Sequence, residues 1–242
     1  MMMNSPTQKS SGWIPWMNYI LIAVNVLIFL AGTAMELAGK DAGSMVRAGA
    51  LYAPLILKGQ GFYRLVTSVF LHADAAHLIN NMIVQFAGGD IVERNLGHLR
   101  FAVLYFVSGI CGNITSVVTD WLKGEYGFSI GASGAVFGIT GALLFLIVTE
   151  VHEGIRAADS RLPEAEEQGA GVSRPGSHAS EAELKSLLIR AALMTVYLLY
   201  SGWRNPVINQ AAHVGGIVTG FAAAALMMPR GRRNIDMLFR GG

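Results

Sequence analysis

Long apolar segments alternate with polar loops along the whole chain. Six of these segments approach the length of about 20 mainly apolar residues that a helix needs to cross the hydrocarbon core of a bilayer. They cover residues 16–35, 75–92, 101–119, 132–151, 184–202 and 210–228. The pattern therefore predicts an all-α membrane protein, built as a bundle of six transmembrane helices.

Three of the six predicted spans carry a polar residue near the N-terminal end, where ordinary membrane helices are apolar. His77 lies at this end of the second span, Ser133 of the fourth and His213 of the sixth. Spans of even number run in the same direction, so these side chains share one depth in the membrane and can converge. Ionisable residues inside a bilayer are costly and usually functional, and a serine beside a histidine suggests a nucleophile with its base.

The composition favours a membrane protein and argues against a nucleic-acid partner. Hydrophobic residues make up 52% of the chain and charged residues only 14%, whereas soluble domains contain about 25% charged residues. The net charge of +2 comes without a basic arm that could bind a polyanion. A single cysteine, Cys111, excludes an internal disulfide, and its apolar surroundings suggest a packing role.

The distribution of lysine and arginine predicts the orientation of the chain in the membrane. With a cytoplasmic N-terminus, twelve of the 18 lysine and arginine residues fall on the inner side, as the positive-inside rule favours. We therefore expect both termini in the cytoplasm, residues 1–15 as one tail and 229–242 as a basic second tail. No small-residue cleavage site follows the first span, so we interpret it as an uncleaved anchor in the inner or plasma membrane.

Two loops of this six-span domain, residues 16–228, stand out by their composition. The loop at 36–74 contains enough apolar residues to pack onto the outer membrane face between the first two helices. The segment 152–183 is rich in Ala, Glu, Gly and Pro, a composition that cannot bury a core. We expect this second segment to be a disordered cytoplasmic loop.

The fourth span opens with Gly131-Ala132-Ser133-Gly134, which suits a nucleophile. A helix N-terminus offers backbone N–H groups without intrahelical partners, and flanking glycines let a substrate carbonyl approach them. Taken alone, such a motif is more often simple small-residue packing. Small residues also recur every three or four positions along spans four and six, namely Gly134, Gly138, Gly141, Gly216, Gly220 and Ala224. This spacing predicts that the two helices pack closely, with Ser133 beside His213.

Other polar residues have positions that would complete such a site. His77 and Asn81 lie one turn apart on one helix face and could stabilise an oxyanion, although polar contacts between helices would explain them too. Phe137 lies one turn after Ser133 and could stack on an imidazole, while His72 is expected to brace its loop. Since no carboxylate accompanies these residues, we expect a Ser-His dyad, and no metal motif or cofactor is predicted.

Together these motifs resemble those of rhomboid intramembrane serine proteases over about residues 49–225. The matching pieces, in family order, are Gly49-Ala50-Leu51, Tyr63-Arg64, His72, His77 with Asn81-Met82, Glu93 with Gly97, Gly131–Gly134, and Ala212-His213 with Gly216. The family often has tryptophan where this chain has Tyr63 and tyrosine where it has Phe137, and an aromatic ring remains at both positions.

The resemblance implies a rhomboid-like bundle with a water-filled cavity open to the outside, and cleavage of transmembrane helices near their outer ends. Ser133 resembles the nucleophile and His213 the base. His77, Asn81 and the backbone N–H of Ser133 resemble the oxyanion-stabilising groups. The expected partners are membrane-protein substrates and the lipid bilayer, with no nucleic acid; neither the oligomeric state nor the substrate sequence is predicted.

Two other classes of function stay open at this stage. A transporter or channel could use His77 and His213 as a proton relay. A rhomboid-like binding protein could recognise transmembrane helices without cutting them, although such proteins usually lack the serine or the histidine that this chain retains. Covalent labelling of Ser133 by a serine-hydrolase probe distinguishes both classes from a protease.

Overall fold

The computed structural model describes residues 13–34, 42–159 and 209–228, and these ranges are mostly helical. In chain order the elements are α1 (Trp16–Ala34), α2 (Ala42–Ala48), β1 (Leu51–Tyr52), α3 (Ala53–Leu57), α4 (Arg64–Thr67), a 3₁₀ turn (Ser68–Phe70), α5 (Ala75–Leu96), α6 (His98–Lys123), β2 (Phe128–Ser129), α7 (Ser133–Asp159) and α8 (Gln210–Met227). The two short strands pair antiparallel, with Leu51 opposite Ser129.

Three helices in the described part of the chain are long and apolar enough to cross a membrane, namely α1, α6 and α8. They correspond to the predicted first, third and sixth spans, and α1 and α8 each end one residue before the predicted bound. The predicted fourth span corresponds to α7, whose apolar part runs over Ser133–Thr149. The predicted second span corresponds to α5, which has the length but a more polar composition. The predicted fifth span, 184–202, lies outside the described residues.

The predicted boundary at residue 152 differs from the structure, because α7 continues to Asp159. Residues 151–159 include glutamate, arginine and two alanines, which have high helix propensity. A helix that leaves the apolar core can therefore continue for two more turns. The rest of the predicted polar loop, from residue 160, lies outside the described residues, as do residues 1–12 and 229–242.

Between α1 and α5 the loop is organised around the buried guanidinium of Arg64. Its Nη1 donates to the carbonyl oxygen of Ala50 over 3.0 Å and also to that of Val46. Thr67 Oγ1 donates to the carbonyl of Gly49 over 2.8 Å, and Gly49 has a φ of +107° that other residues rarely adopt. These bonds fold the loop onto itself and fix the segment that precedes α5.

A buried carboxylate connects the start of α1 to α5. Glu93 is fully buried, and its two oxygens accept hydrogen bonds from the backbone N–H groups of Met17 (3.1 Å) and Asn18 (2.7 Å). His98 Nδ1 contacts the same carboxylate. The first N–H groups of a helix have no intrahelical acceptor, so Glu93 supplies one from a neighbouring helix.

Helices α7 and α8 are in close contact through their glycines. A Cβ atom added at Gly216 would collide with the carbonyl oxygen of Gly134, and one added at Gly220 would collide with the backbone of Gly138. The two backbones are therefore in direct contact, as the small-residue spacing predicts. No side chain could be accommodated there without separating the helices.

Replacing Gly220 with alanine should destabilise the bundle, because its new methyl group would meet backbone atoms that cannot rotate away. Overpacking of this kind costs about 1–3 kcal/mol. The matched control is Gly127→Ala, since a Cβ at Gly127 has nothing within 4 Å. The measurement is the free energy of unfolding in detergent, and equal stability of the two variants would contradict the close contact.

Candidate active site

The turn that leads into α7 is fixed by contacts with the loop before α5. The backbone N–H of Gly131 donates to the carbonyl of Ser68 over 2.9 Å, and the N–H of Ala132 points at His72 Nε2 over a longer 3.5 Å. Gly131 has a φ of +126°, and a Cβ there would lie 2.9 Å from the Nε2 of His77. Glycine is thus required both by the backbone conformation and by the nearby imidazole.

Helix α8 begins with a side-chain cap just before its histidine. Asn209 Oδ1 accepts from the N–H groups of Ala211 (3.1 Å) and Ala212 (3.4 Å). Asparagine is among the preferred residues at this position. His213 then lies in the first turn of α8, one turn before the glycine contact with α7, and only 2% of its surface is exposed.

The two helix starts bring a hydroxyl and an imidazole into hydrogen-bond distance. Ser133 Oγ lies 2.9 Å from His213 Nε2. The Phe137 ring stacks on the imidazole, with ring centroids 4.2 Å apart and an angle of 19° between the planes. The other ring nitrogen, Nδ1, is buried and has no hydrogen-bond partner among the residues that the structure describes. The arrangement can transfer a proton from the serine hydroxyl to the histidine.

The other predicted site residues on α5 lie on the same side of the bundle. Asp74 caps this helix by accepting from the N–H of His77 over 2.7 Å, and the His77 ring approaches Gly131. Asn81 is buried, and its Nδ2 donates to the carbonyl of His77 over 3.0 Å. That bond lies within α5 and uses one of the two amide hydrogens, which leaves the second for another acceptor.

His72 and Arg64 have contacts that fix the loop rather than the Ser133–His213 pair. His72 is buried against His77, with ring centroids 5.2 Å apart. Burial, and to a smaller extent the neighbouring His77, lowers the pKa of His72 to about 3. The ring is therefore neutral at pH 7, and its Nε2 can face the N–H of Ala132. Within the described part of the chain, the hydrogen bonds of Arg64 go to the loop carbonyls of Val46 and Ala50.

Three polar residues near the site were missed by the sequence analysis. Asn113 and Ser116 lie within the apolar α6, and Asn209 precedes α8. Asn113 contacts Ser68, while Ser116 contacts Asn209. Polar residues three positions apart in an otherwise apolar span were a signal in the sequence, but their partners depend on how the helices pack.

The family model of the rhomboid domain matches residues 59–230. The chain is a member of the rhomboid family. This confirms the family that the sequence motifs predicted. The long apolar helices indicate that the protein is a membrane protein.

Relatives from bacteria and plants show the same similarity. Rhomboid protease GluP of Bacillus subtilis (strain 168) is 29% identical over 89% of this chain, which spans 36% of that relative. RHOMBOID-like protein 5 of Arabidopsis thaliana is 28% identical over 80% of the chain and 53% of the relative. Putative rhomboid protease YdcA of Bacillus subtilis (strain 168) is 31% identical over 71% of the chain and 70% of the relative. The chain thus spans about a third to about half of the length of the first two relatives.

The buried neutral imidazole of His72 predicts a pH dependence of stability. Its pKa falls from 6.5 to about 3 on folding, so the unfolded chain binds more protons between these values. Stability is therefore lost as the pH falls below 6.5. His72→Gln should lose less of its thermal stability than the unsubstituted protein between pH 7.5 and 5.0, as measured by the unfolding midpoint in detergent. Equal losses would contradict the burial of a neutral ring.

Proposed function

We propose that this rhomboid is an intramembrane serine endopeptidase that uses Ser133 as the nucleophile and His213 as the general base. The observation that supports the proposal best is the 2.9 Å separation of Ser133 Oγ and His213 Nε2. Two relatives carry the name rhomboid protease, which agrees with this chemistry. The stacked Phe137 ring orients the imidazole.

The reaction would begin with proton transfer and attack on the scissile carbonyl. His213 Nε2 accepts the hydroxyl proton while Ser133 Oγ bonds to the carbonyl carbon. The resulting oxyanion needs donors that are already in position. The backbone N–H of Ser133 is one, since the first turn of α7 has no intrahelical acceptor for it. The imidazole of His77 and the free amide hydrogen of Asn81 are the other two proposed donors.

The second half of the reaction requires water. Protonated His213 gives its proton to the leaving amine, and the peptide bond breaks to leave an acyl group on Ser133. A water molecule then attacks the ester while His213 accepts its proton. The bond between the acyl carbon and Ser133 Oγ breaks, His213 returns the proton to Oγ, and the carboxylic acid product leaves. The site must therefore be wet, although it lies among helices that face lipid.

The proposed membrane arrangement has six spans, with residues 184–202 as the fifth. Both termini are cytoplasmic, the site lies near the outer face of an inner or plasma membrane, and the loop at 36–74 packs onto that face. Residues 16–228 form one protease domain, flanked by tails at 1–15 and 229–242. The substrates are transmembrane helices, cut near their outer ends, and movement of the fifth span would admit them.

A substrate helix must unwind before it can be cut. Backbone carbonyls in a helix are hydrogen-bonded, and exposing them to lipid is expensive. We therefore expect cleavage sites beside small or helix-destabilising residues. A wet cavity would lower this cost, because water can satisfy the exposed carbonyl and amide groups.

The nucleophile and base can be tested with the reconstituted protein. Ser133→Ala and His213→Ala should each lower cleavage of a transmembrane substrate by at least about a thousandfold, since each removes one half of the dyad. A fluorophosphonate should label the unsubstituted protein at Ser133 and leave Ser133→Ala unlabelled. Near-normal cleavage in either variant overturns the mechanism. Ion flux in liposomes without labelling would instead favour a transporter, and helix binding without cleavage a non-proteolytic member.

The oxyanion donors predict a specific kinetic effect. Asn81→Ala and His77→Ala should each lower kcat by about 10²–10³-fold with little change in KM, because their bonds strengthen only in the transition state. The matched control is Asn80→Ala, which removes an exposed amide next to Asn81 on α5. A loss in the control as large as that in Asn81→Ala would argue against a specific role.

A further inference from the structure

Two polar side chains on α6 bond to residues that hold the two halves of the Ser133–His213 pair. Asn113 bonds to Ser68, whose carbonyl accepts from the turn before Ser133, and Ser116 bonds to Asn209, which caps the helix of His213. We propose that Asn113 and Ser116, named here the α6 pair, are positioning residues that set the distance between the serine and the histidine. Neither touches the reacting atoms. The inference rests on the proposed function, because it assigns a role to the α6 pair in the same reaction.

Asn113 contacts the segment that fixes the serine-bearing turn. Its Nδ2 donates to the carbonyl of Leu65 over 2.8 Å and to Ser68 Oγ over 2.9 Å, and the side chain is buried. The carbonyl of the same Ser68 accepts the N–H of Gly131 over 2.9 Å. A continuous series of hydrogen bonds therefore runs from α6 through Ser68 to the turn that presents Ser133.

Ser116 contacts the residue that begins the histidine-bearing helix. It is fully buried, and its Oγ accepts a hydrogen bond from Nδ2 of Asn209. The Oδ1 of Asn209 accepts from the first N–H groups of α8. Asn209 lies four residues before His213, so its contact with Ser116 fixes the start of α8 one turn from the imidazole.

The spacing of the α6 pair makes α6 a common reference for both segments. Residues three apart on a helix are neighbours on one face and differ by about 4.5 Å along the axis. The backbones of α6 and α8 also approach closely here, because a Cβ at Gly112 would lie 2.7 Å from the carbonyl oxygen of Ala212. One rigid helix thus bonds at adjacent positions to Ser68, which holds the serine turn, and to Asn209, which begins the histidine helix.

The size of the expected effect follows from the demands of proton transfer. A misplacement of 1 Å can cost about 100-fold in rate, whereas the loss of one interhelical hydrogen bond leaves a bundle folded. A positioning role therefore predicts a fall in kcat and in the labelling rate of Ser133, with KM little changed. A merely structural role predicts a lower unfolding midpoint alone.

The contact between Ser116 and Asn209 is tested by a double-mutant cycle. Ser116→Ala removes the acceptor, while Asn209→Ser retains a capping oxygen but is too short to reach α6. Each should lower kcat at least about tenfold, and the double variant should be no worse than either single one. Asn209→Asp should retain most activity, because it caps α8 and accepts from the Ser116 hydroxyl.

The matched control on α6 is Thr119→Val, one turn after Ser116. The hydroxyl of Thr119 donates to the carbonyl of Thr115 in its own helix over 2.8 Å. This variant should keep kcat, KM and the labelling rate of the unsubstituted protein. Asn113→Ala should lower kcat like Ser116→Ala, and the two losses should multiply, because the residues contact different segments.

Two results would overturn the inference. One is a normal kcat and labelling rate in both Ser116→Ala and Asn209→Ser, with only the unfolding midpoint lowered. The other is a set of losses that multiply between Ser116 and Asn209, which would mean that they act separately.

A protein that neither cleaves nor becomes labelled would contradict the proposed function instead, and amide hydrogen exchange then tests the α6 pair. Asn113→Ala must speed exchange at Gly131, and Ser116→Ala must speed exchange at Ala211 and Ala212. Unchanged exchange rates in both variants would overturn the inference without any measurement of activity.

Discussion

The backbone contact between α7 and α8 is the constraint on which the candidate site depends. Gly134 and Gly138 meet Gly216 and Gly220 without intervening side chains. Ser133 and His213 each lie next to this contact, in the first turn of their helices. Since neither side chain is long, only helices this close can bring the hydroxyl oxygen and the ring nitrogen within hydrogen-bond distance.

Several buried polar groups in this bundle have a partner on another helix or in the loop. Asn113 and Ser116 on α6, and Glu93 on α5, all bond to atoms of a different element. Such bonds contribute about 0.6–2 kcal/mol each in a membrane, less than apolar packing as a whole. They are directional, however, so they select one rotation and one register for each helix among many that would bury similar apolar area.

Much of the fold was predictable because the membrane imposes a simple length and polarity rule. Hydropathy located α1, α6 and α8, and the polar residues in α5 distinguished it from these more apolar helices. Small-residue spacing predicted the α7–α8 contact, and the one-turn offset of Phe137 predicted its place beside the imidazole. These inferences need only the periodicity of a single helix or the properties of one short motif.

The contacts between segments that are distant in the chain could not be predicted from the sequence. Whether Asn113 bonds to Ser68 depends on the rotation of α6 and on the path of a loop 45 residues earlier. The structure differs from the prediction at the end of α7. Composition indicates where the apolar segment ends, whereas a helix ends only where its backbone hydrogen bonds end. The amide of Asn81 is a hydrogen-bond donor by its chemistry, but the sequence alone did not show that it donates to the carbonyl of His77.

The capping of α1 by Glu93 has a consequence for biosynthesis. The backbone N–H groups of Met17 and Asn18 donate to Glu93, which follows them in the chain by 76 and 75 residues. Because α1 precedes α5 in the chain, the N-terminal turn of α1 is capped only after α5 has been made. Until then these amide groups can be satisfied only by water or lipid headgroups, so a helix that is synthesised before α5 reaches its final neighbours only afterwards.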